Sequence, residues 1–474
     1  MTPLRAALIN AGRLTFTSLA VSPPVGLLYL AAYARAHLPV SVKIVDQRGL
    51  DLPNDQVVRQ VRDFSPQVIG IRCLTANAGT ARELTEAFRQ ECPNALLVAG
   101  GPHASAMGAK LLEDMTLDVV IPGEGEISFQ KLLQAVADKS DFSEIPGLLW
   151  KNHAGDIVRN PGTPEFVEDI DTIPMPAYDL IDIPVYSTKR TMSLLPYRKH
   201  YFCLFTSRGC PYRCNYCHSI FGKRFRAHSA ERVVEEITCL WKNHGIHDFD
   251  ILDDIFNMDR ERVFRIVELL KQKNINPNFS FPNGIRTDLL TEETVDALHD
   301  MGTYICAFAL ETGSPRLQKL IGKNLNLEKY LRGVALAARK RIFCYGFAML
   351  GFPGESADEM DMTINIACQS ELHAINFFTV TPFPGTALFE QAMREHPDRL
   401  QRLDYEGKDY LFKLTANLSQ VSDKELQRKL KEANRRFYLT PRRIARMIRD
   451  YPDFRQLASQ AVRFLYLQTL NRAF

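Results

Sequence analysis

Ser207-Arg208-Gly209-Cys210-Pro211-Tyr212-Arg213-Cys214-Asn215-Tyr216-Cys217-His218 sets three cysteines in C-x3-C-x2-C spacing, directly after a strand-like apolar run, Phe202–Thr206. Three thiolates on one tight loop can ligate three irons of a [4Fe–4S] cube, leaving the fourth iron open to a chelating small molecule. A zinc site ordinarily draws four protein ligands, often as paired C-x2-C units, and no second pair occurs here. His218 would complete a Cys3His zinc site, although ligands adjacent in sequence are sterically awkward. The other seven cysteines, Cys73, Cys92, Cys203, Cys239, Cys306, Cys344 and Cys368, sit apart among apolar or helical neighbours and read as small core hydrophobes.

Outward from this loop, a βα alternation starts at Tyr201. Strand-like runs are Phe202–Thr206, Asp248–Leu252, Asn278–Phe281, Tyr304–Leu310, Phe343–Leu350 and Ala374–Thr381. Helices intervene, such as Glu231–Lys242 behind the N-cap candidate Ser229. Six parallel units with functional groups at strand ends predict a partial (β/α)6 TIM-like barrel over residues 201–390, its site at the C-terminal mouth. Residues 1–140 show an earlier alternation, with strands at Leu4–Ile9, Val40–Val45, Gln67–Ile71, Ala95–Ala99 and Asp118–Ile121. Near-continuous apolar strands predict an α/β, doubly wound parallel sheet of flavodoxin-like order, covered on both faces. Such a sheet binds ligands beyond the carboxyl ends of its strands. There stand Gly100-Gly101-Pro102-His103 and Gly123-Glu124-Gly125-Glu126. Residues 141–200 are dotted with proline and read as an extended connector; residues 391–474 read as a helical, basic region.

The chain has 474 residues, 46% hydrophobic and 24% charged, which are globular values that exclude disorder, collagen and coiled coil as whole-chain descriptions. Its apolar runs fall short of the ~20 residues that cross a bilayer. The N-terminus reads as a strand start without signal-peptide features, which predicts a cytoplasmic location and reduced thiols. The net charge of +3 is unevenly placed: residues 421–474 carry 13 Lys and Arg against 5 Asp and Glu, leaving the rest net acidic. The tail predicts helices over 421–438, 441–449 and 452–470. They serve either as a cap on the barrel or as a contact with an anionic lipid surface or lipid-like substrate. Basic residues interleaved with apolar helix faces, without a recognition module, argue against nucleic acid.

The cysteine loop and its sequel resemble the radical S-adenosylmethionine (SAM) enzymes. Leu252-Asp253-Asp254-Ile255-Phe256-Asn257, Asn283-Gly284-Ile285-Arg286-Thr287-Asp288, Glu311-Thr312-Gly313-Ser314, Leu350-Gly351-Phe352-Pro353-Gly354-Glu355 and Pro382-Phe383-Pro384-Gly385-Thr386 are similar to the family's elements at strands two to six. The resemblance implies a [4Fe–4S] cluster on Cys210, Cys214 and Cys217. SAM is a zwitterion bearing a sulfonium, so its site calls for carboxylates, an arginine and backbone amides. The implied contacts are Asp253, Asp254 and Glu311 for the amino group and ribose, Arg286 for the carboxylate, and Tyr216 against adenine. The implied chemistry is one-electron cleavage of SAM to a 5′-deoxyadenosyl radical. A donor such as flavodoxin or ferredoxin supplies the electron.

The first domain resembles the cobalamin-binding domain of the cobalamin-dependent branch of that family. The likeness rests on Ser22-Pro23-Pro24-Val25-Gly26-Leu27, Gly70-Ile71-Arg72-Cys73-Leu74-Thr75, the two glycine turns, and Ile173-Pro174-Met175-Pro176-Ala177-Tyr178-Asp179. It implies cobalamin contacts at Thr75, Gly100, Gly101, Pro102, His103, Gly123, Glu124, Gly125 and Glu126, the last four opening a helix suited to an anion. The D-x-H-x-x-G string of methionine-synthase-type domains, which carries a cobalt-ligating histidine, is missing. The implied function is methylation of an unactivated carbon in a small-molecule or lipid-like intermediate. The rivals are a radical cyclase similar to the anaerobic magnesium-porphyrin cyclase and a non-catalytic cobalamin or redox sensor. Substrate contacts would come from the barrel interior and residues 185–200, where Tyr186, Arg190, Tyr197 and Arg198 form no interpretable pattern.

Overall fold

Both βα alternations fold into parallel sheets. The computed structural model describes residues 3–14, 20–193, 200–401, 403, 405 and 416–452. Tyr197, Arg198 and the expected 452–470 helix, apart from its first residue, lie outside these residues.

The first sheet comprises β1 (Leu4–Asn10), β2 (Val40–Val45), β3 (Val68–Arg72), β4 (Leu96–Gly100), β5 (Val119–Ile121), β6 (Leu149–Lys151) and β7 (Ile157–Arg159). Its order is β2-β1-β3-β4-β5-β6-β7. The first five strands are parallel, and the order turns back between β1 and β3 as in the predicted doubly wound sheet. Alternate residues serve opposite cores: Ala7, Ile9, Ile69, Ile71 and Leu97 pack on one face, and Ala6, Leu8, Val68, Val98 and Val119 on the other. Strands with near-continuous apolar runs thus follow from helices on both sides. One departure concerns the stretch read as an extended connector, which adds β6 and β7 antiparallel to the edge. Two three-residue strands joined through Asn152 and Gly155 leave too short a period-2 signal to stand out among prolines.

The second sheet comprises β8 (Tyr201–Leu204), β11 (Asp248–Ile251), β12 (Asn278–Ile285), β13 (Thr303–Glu311), β14 (Phe343–Leu350) and β15 (Ala374–Thr379), in the order β15-β14-β13-β12-β11-β8. All neighbours are parallel. Between β8 and β11, β9 (Ser207–Arg208) and β10 (Arg226–Ala227) pair antiparallel and close the cysteine loop at its neck. Ser229 caps the Ala230–His244 helix by accepting from the Arg232 amide at 3.1 Å, as expected of an N-cap serine.

The tail helices Asp423–Tyr438 and Pro441–Asp450 cap the barrel. Leu426, Ala433 and Phe437 are fully buried, and the Tyr438 hydroxyl donates to the Ile375 carbonyl at 2.6 Å. Part of the basic character is used internally, since buried Arg443 donates to the Leu372, Cys368 and Ser370 carbonyls and buried Lys429 pairs with Asp361 at 2.6 Å. Ile444 and Ile448 face outward. No helix among the described residues is long and apolar enough to cross a membrane.

Candidate functional site

The three cysteines lie on the loop between β9 and β10, at the carboxyl end of the barrel. Gly209 at its start has φ +80, and a Cβ there would stand 2.2 Å from the Arg224 carbonyl oxygen, so only glycine closes this neck. The loop is buttressed from below: the Asn215 amide donates to Ile321 at 2.9 Å, and the Leu388 amide donates to the Asn215 carbonyl at 2.9 Å. Gly322 abuts the Arg213 carbonyl, where a Cβ would approach to 2.5 Å. All three thiols are free. Burial, then Asp254 and Cys214, push the Cys217 thiol up to about 12, and burial also raises Cys210. Among the described residues no three His, Cys, Asp or Glu side chains gather as a single metal ion needs. A cube spreads its thiolates over three irons, and three cysteines on one loop fit that donor set.

Around this loop the structure brings together three of the expected SAM contacts. Tyr216 packs beside Phe352, ring centroids 6.2 Å apart, and burial followed by the charge of Glu311 holds its phenol well above the usual range. Asp254 lies 3.8 Å from His218 Nε2, accepts from the Gly209 amide and is raised chiefly by burial. Glu311 ends β13 in the left-handed region at φ +62, a conformation that a non-glycine residue holds at some cost. Its carboxylate meets Lys323 Nζ at 3.2 Å, both side chains being buried. Lys323 escaped the sequence reading, and the signal available was Gly322, whose missing side chain lets this turn press on the cysteine loop.

The other two have different partners from those expected. Asp253 turns inward and accepts from the Thr206 amide, the Thr206 hydroxyl and the Ser207 hydroxyl, each at 2.6 Å. It therefore ties the end of β8 to the loop after β11 and is a positioning residue. Arg286 forms a fork with Asp288 at 2.6 and 3.0 Å and donates to the Lys323 and Asn324 carbonyls. Four of its five N–H donors are directed to protein acceptors, so it braces the 322–324 turn. Neighbouring residues face opposite ways at a strand end, so Asp253 and Asp254 could not be told apart by spacing.

In the first domain the His103 imidazole contacts the Thr75 hydroxyl at 3.1 Å, and burial lowers its pKa. Gly101, at φ +93, passes so close to the Cys73 carbonyl that a Cβ would stand 3.2 Å away. Pro102 begins the next helix, and the Gly123 amide donates to Ser105 at 3.0 Å. Thr75, Gly100–His103 and Gly123 thus share one glycine-lined edge at the carboxyl ends of β3, β4 and β5, and this open backbone edge fits the close approach a corrin and its nucleotide tail require. Glu124 and Glu126 depart from the expectation. They reach across to the barrel, where Arg208 meets Glu126 at 2.7 Å and Glu124 at 3.2 Å, and Arg226 also pairs with Glu124. Two buried cations opposite explain why these carboxylates leave the cofactor edge. Burial opposes the Arg208 charge, but Glu126 and Glu124 outweigh it and raise its pKa.

Sequence reasoning also missed the residues that bind the two mouths together. Tyr29 of the first domain and Tyr178 of the connector both donate to the buried Glu236 of a barrel helix. Asp46 accepts from Asn10 at 2.7 Å and from Tyr186 at 2.7 Å. Gly385, beyond β15, lies so near Ala106 that a Cβ would come within 2.7 Å. The glycine edge of one sheet therefore faces the mouth of the other.

A B12 binding domain model matches residues 14–133, and a Radical SAM superfamily model matches residues 204–367. The chain is 29% identical to an uncharacterized methyltransferase of Pyrococcus horikoshii, over 94% of this chain and 93% of that protein. It is 26% identical to the cytidylyl-2-hydroxyethylphosphonate methyltransferase of Streptomyces wedmorensis, over 78% of each chain. Against the anaerobic magnesium-protoporphyrin IX monomethyl ester cyclase of Rubrivivax gelatinosus the identity is 24%, over 82% of this chain and 69% of the cyclase. The solved radical SAM methyltransferase TsrM from Kitasatospora setae, with cobalamin and a [4Fe–4S] cluster bound, shares the fold at a TM-score of 0.67 and 21% identity, over 83% of this chain and 76% of TsrM. A B12-binding sheet docked mouth to mouth on a three-cysteine partial barrel places this chain among the cobalamin-dependent radical SAM enzymes.

Proposed function

We propose that the protein methylates an unactivated carbon of a small-molecule biosynthetic intermediate. When bound, the cluster supplies the electron for SAM cleavage, and cobalamin supplies the carrier for a methyl group. The observation that carries this reading is the opposition of the two mouths, held by Glu124 and Glu126 on Arg208 and Arg226 and by Gly385 against Ala106. Methyl transfer to a carbon radical needs the carrier and the hydrogen-abstracting group on opposite sides of one substrate. Holding reactants so can lower a barrier by roughly 7–11 kcal/mol. Support also comes from methyltransferases among the relatives, those of Pyrococcus horikoshii and Streptomyces wedmorensis included.

Within this reading Cys210, Cys214 and Cys217 hold the cluster, while Asp254 and Glu311 offer carboxylates to the amino group and ribose of SAM. Tyr216 offers an aromatic wall against adenine. Asp253 and Arg286 keep the loops that carry those groups in register. Thr75, Gly100, Gly101, Pro102, His103 and Gly123 line the cobalamin edge, with Gly125 shaping the turn that carries Glu124 and Glu126. A flavodoxin- or ferredoxin-type protein supplies the electron. The cyclase relative makes ring closure the competing outcome. Anaerobic incubation with methyl-labelled SAM and extracts containing candidate acceptors tests the assignment: label in product is expected, and 5′-deoxyadenosine with an unlabelled, cyclised product would overturn methylation.

A further inference from the structure

The cysteine loop is closed at its neck by charge contributed from the other domain. β9 and β10 pair in register Arg208↔Arg226, so each foot of loop 209–225 carries an arginine. Both arginines converge on one carboxylate, that of Glu124 in the Gly123–Gly125 turn of the B12-binding domain. Arg208 also takes Glu126 at 2.7 Å. Arg226 further donates to the Val167 carbonyl at 2.6 Å and the Phe221 carbonyl at 3.0 Å, so it also grips the connector and the loop's own returning limb. Side-chain exposure is 5% for each arginine, 1% for Glu124 and 4% for Glu126. Two cations and two anions are thus sealed together two residues from Cys210. The same loop has an exposed counterpart, Arg224 with Glu168, at 76% and 69% exposure. Exposed pairs of that kind contribute little, whereas removing one member of a buried pair leaves an uncompensated charge.

We propose that Glu124 is a positioning residue for the cluster loop. It joins both feet of the loop from across the domain boundary and balances the buried charge beside Cys210. One carboxylate then contributes both to docking of the B12-binding domain and to the reduction potential of the barrel's cluster. The proposal rests on the cluster assignment made above. Neutralising Glu124 has two separable consequences. The neck loses the carboxylate that forms ion pairs with both its feet, and the quartet gains one net positive charge. Positive charge near an iron–sulfur cluster favours its reduced, more negative form and raises its potential.

The test uses the full chain and three variants. Hydrogen exchange of the 209–225 amides is read on the chain before iron is added, and the midpoint potential is read on reconstituted protein by EPR-monitored titration. Glu124→Gln is expected to speed exchange within 209–225 by at least about tenfold while the β1–β5 core stays protected, and to move the potential upward. Arg226→Lys keeps the charge and loses the planar fork, so exchange should accelerate with the potential near its original value. Glu168→Gln should change neither. Exchange in Glu124→Gln indistinguishable from wild type, or a potential that does not rise, overturns the proposal. Should Glu124→Gln give no folded chain, unaccelerated exchange in Arg226→Lys overturns the clamp. Wild-type protein that takes up no iron would refute the cluster assignment alone, since the exchange comparison stands without iron.

Discussion

The Arg286 guanidinium carbon lies 3.9 Å from the centroid of the Tyr212 ring, which stands between Cys210 and Cys214, while its nitrogens grip Asp288 and the turn carrying Lys323. Cluster loop and Glu311–Lys323 pair are therefore braced by one side chain. Arg286→Lys keeps the charge but loses the planar stack and the fork, the features that distinguish arginine from lysine at such a site. The expected result is a folded protein destabilised by about 1–2 kcal/mol, with lowered iron retention. Denaturant melts and iron per chain check it, and unchanged iron content would contradict the bracing role.

Glu311 holds a left-handed backbone with a carboxylate paired to Lys323. Glu311→Gly removes the backbone penalty and the carboxylate together, whereas Glu311→Gln removes the charge alone. Relative to Gln, the Gly variant should be similar or more stable, by up to about 1 kcal/mol, because the strain is relieved. Both should lose SAM binding, measured by equilibrium dialysis on reconstituted protein. Wild-type affinity in Glu311→Gln would remove Glu311 from the site.

Glu355 is fully buried, accepts from the Gly351 and Phe352 amides, and burial pushes its pKa up to about 8. A folded-state pKa above the unfolded one means the folded chain keeps a proton the unfolded chain has released. Stability from this group is therefore fully present below about pH 4.5 and is lost as pH rises through about 8. Glu355→Gln, a permanent stand-in for the protonated acid, should flatten that fall between pH 5 and 8. A slope identical to wild type in urea midpoints would contradict it.

His373 accepts the Cys344 amide on Nδ1 at 2.9 Å, so its proton sits on Nε2, which faces Asp450 at 3.0 Å. Burial lowers its pKa to about 4. A buried imidazole kept neutral contributes its full share above the unfolded value near 6.5, and stability falls as acid protonates the unfolded chain from there down to about pH 4. Since Asp450 ends the second tail helix, His373→Asn should weaken docking of residues 441–450 and reduce the acid sensitivity. Hydrogen exchange across 441–450 at pH 7 and pH 5 measures both, and equal exchange in variant and wild type would refute the link.

How much was legible in the sequence depends on how local the determinant is. Cys210, Cys214 and Cys217 share one turn, so spacing alone exposed them, and β1–β5 and β13–β15 announced themselves because each of these strands is apolar over most of its length. Glu124 and Glu126 read as cofactor contacts because their turn precedes a helix; nothing near them in sequence reveals that Arg208 and Arg226 lie opposite, some 80–100 positions later. Asp46 and Tyr186, 140 positions apart, were hidden in the same way. Arg286 was misread because the acceptors that occupy it, Asp288 and the Lys323 carbonyl, become its neighbours only once the turn beside Gly322 folds back.

The most direct measurement is iron and sulfide content together with 5′-deoxyadenosine formation, on anaerobically reconstituted wild type and Cys214→Ala. Wild type should bind about four irons and four sulfides per chain and release 5′-deoxyadenosine from SAM when reduced with dithionite, and the variant should do neither. Stoichiometric zinc in place of iron, or iron and SAM cleavage undiminished in Cys214→Ala, would contradict the account.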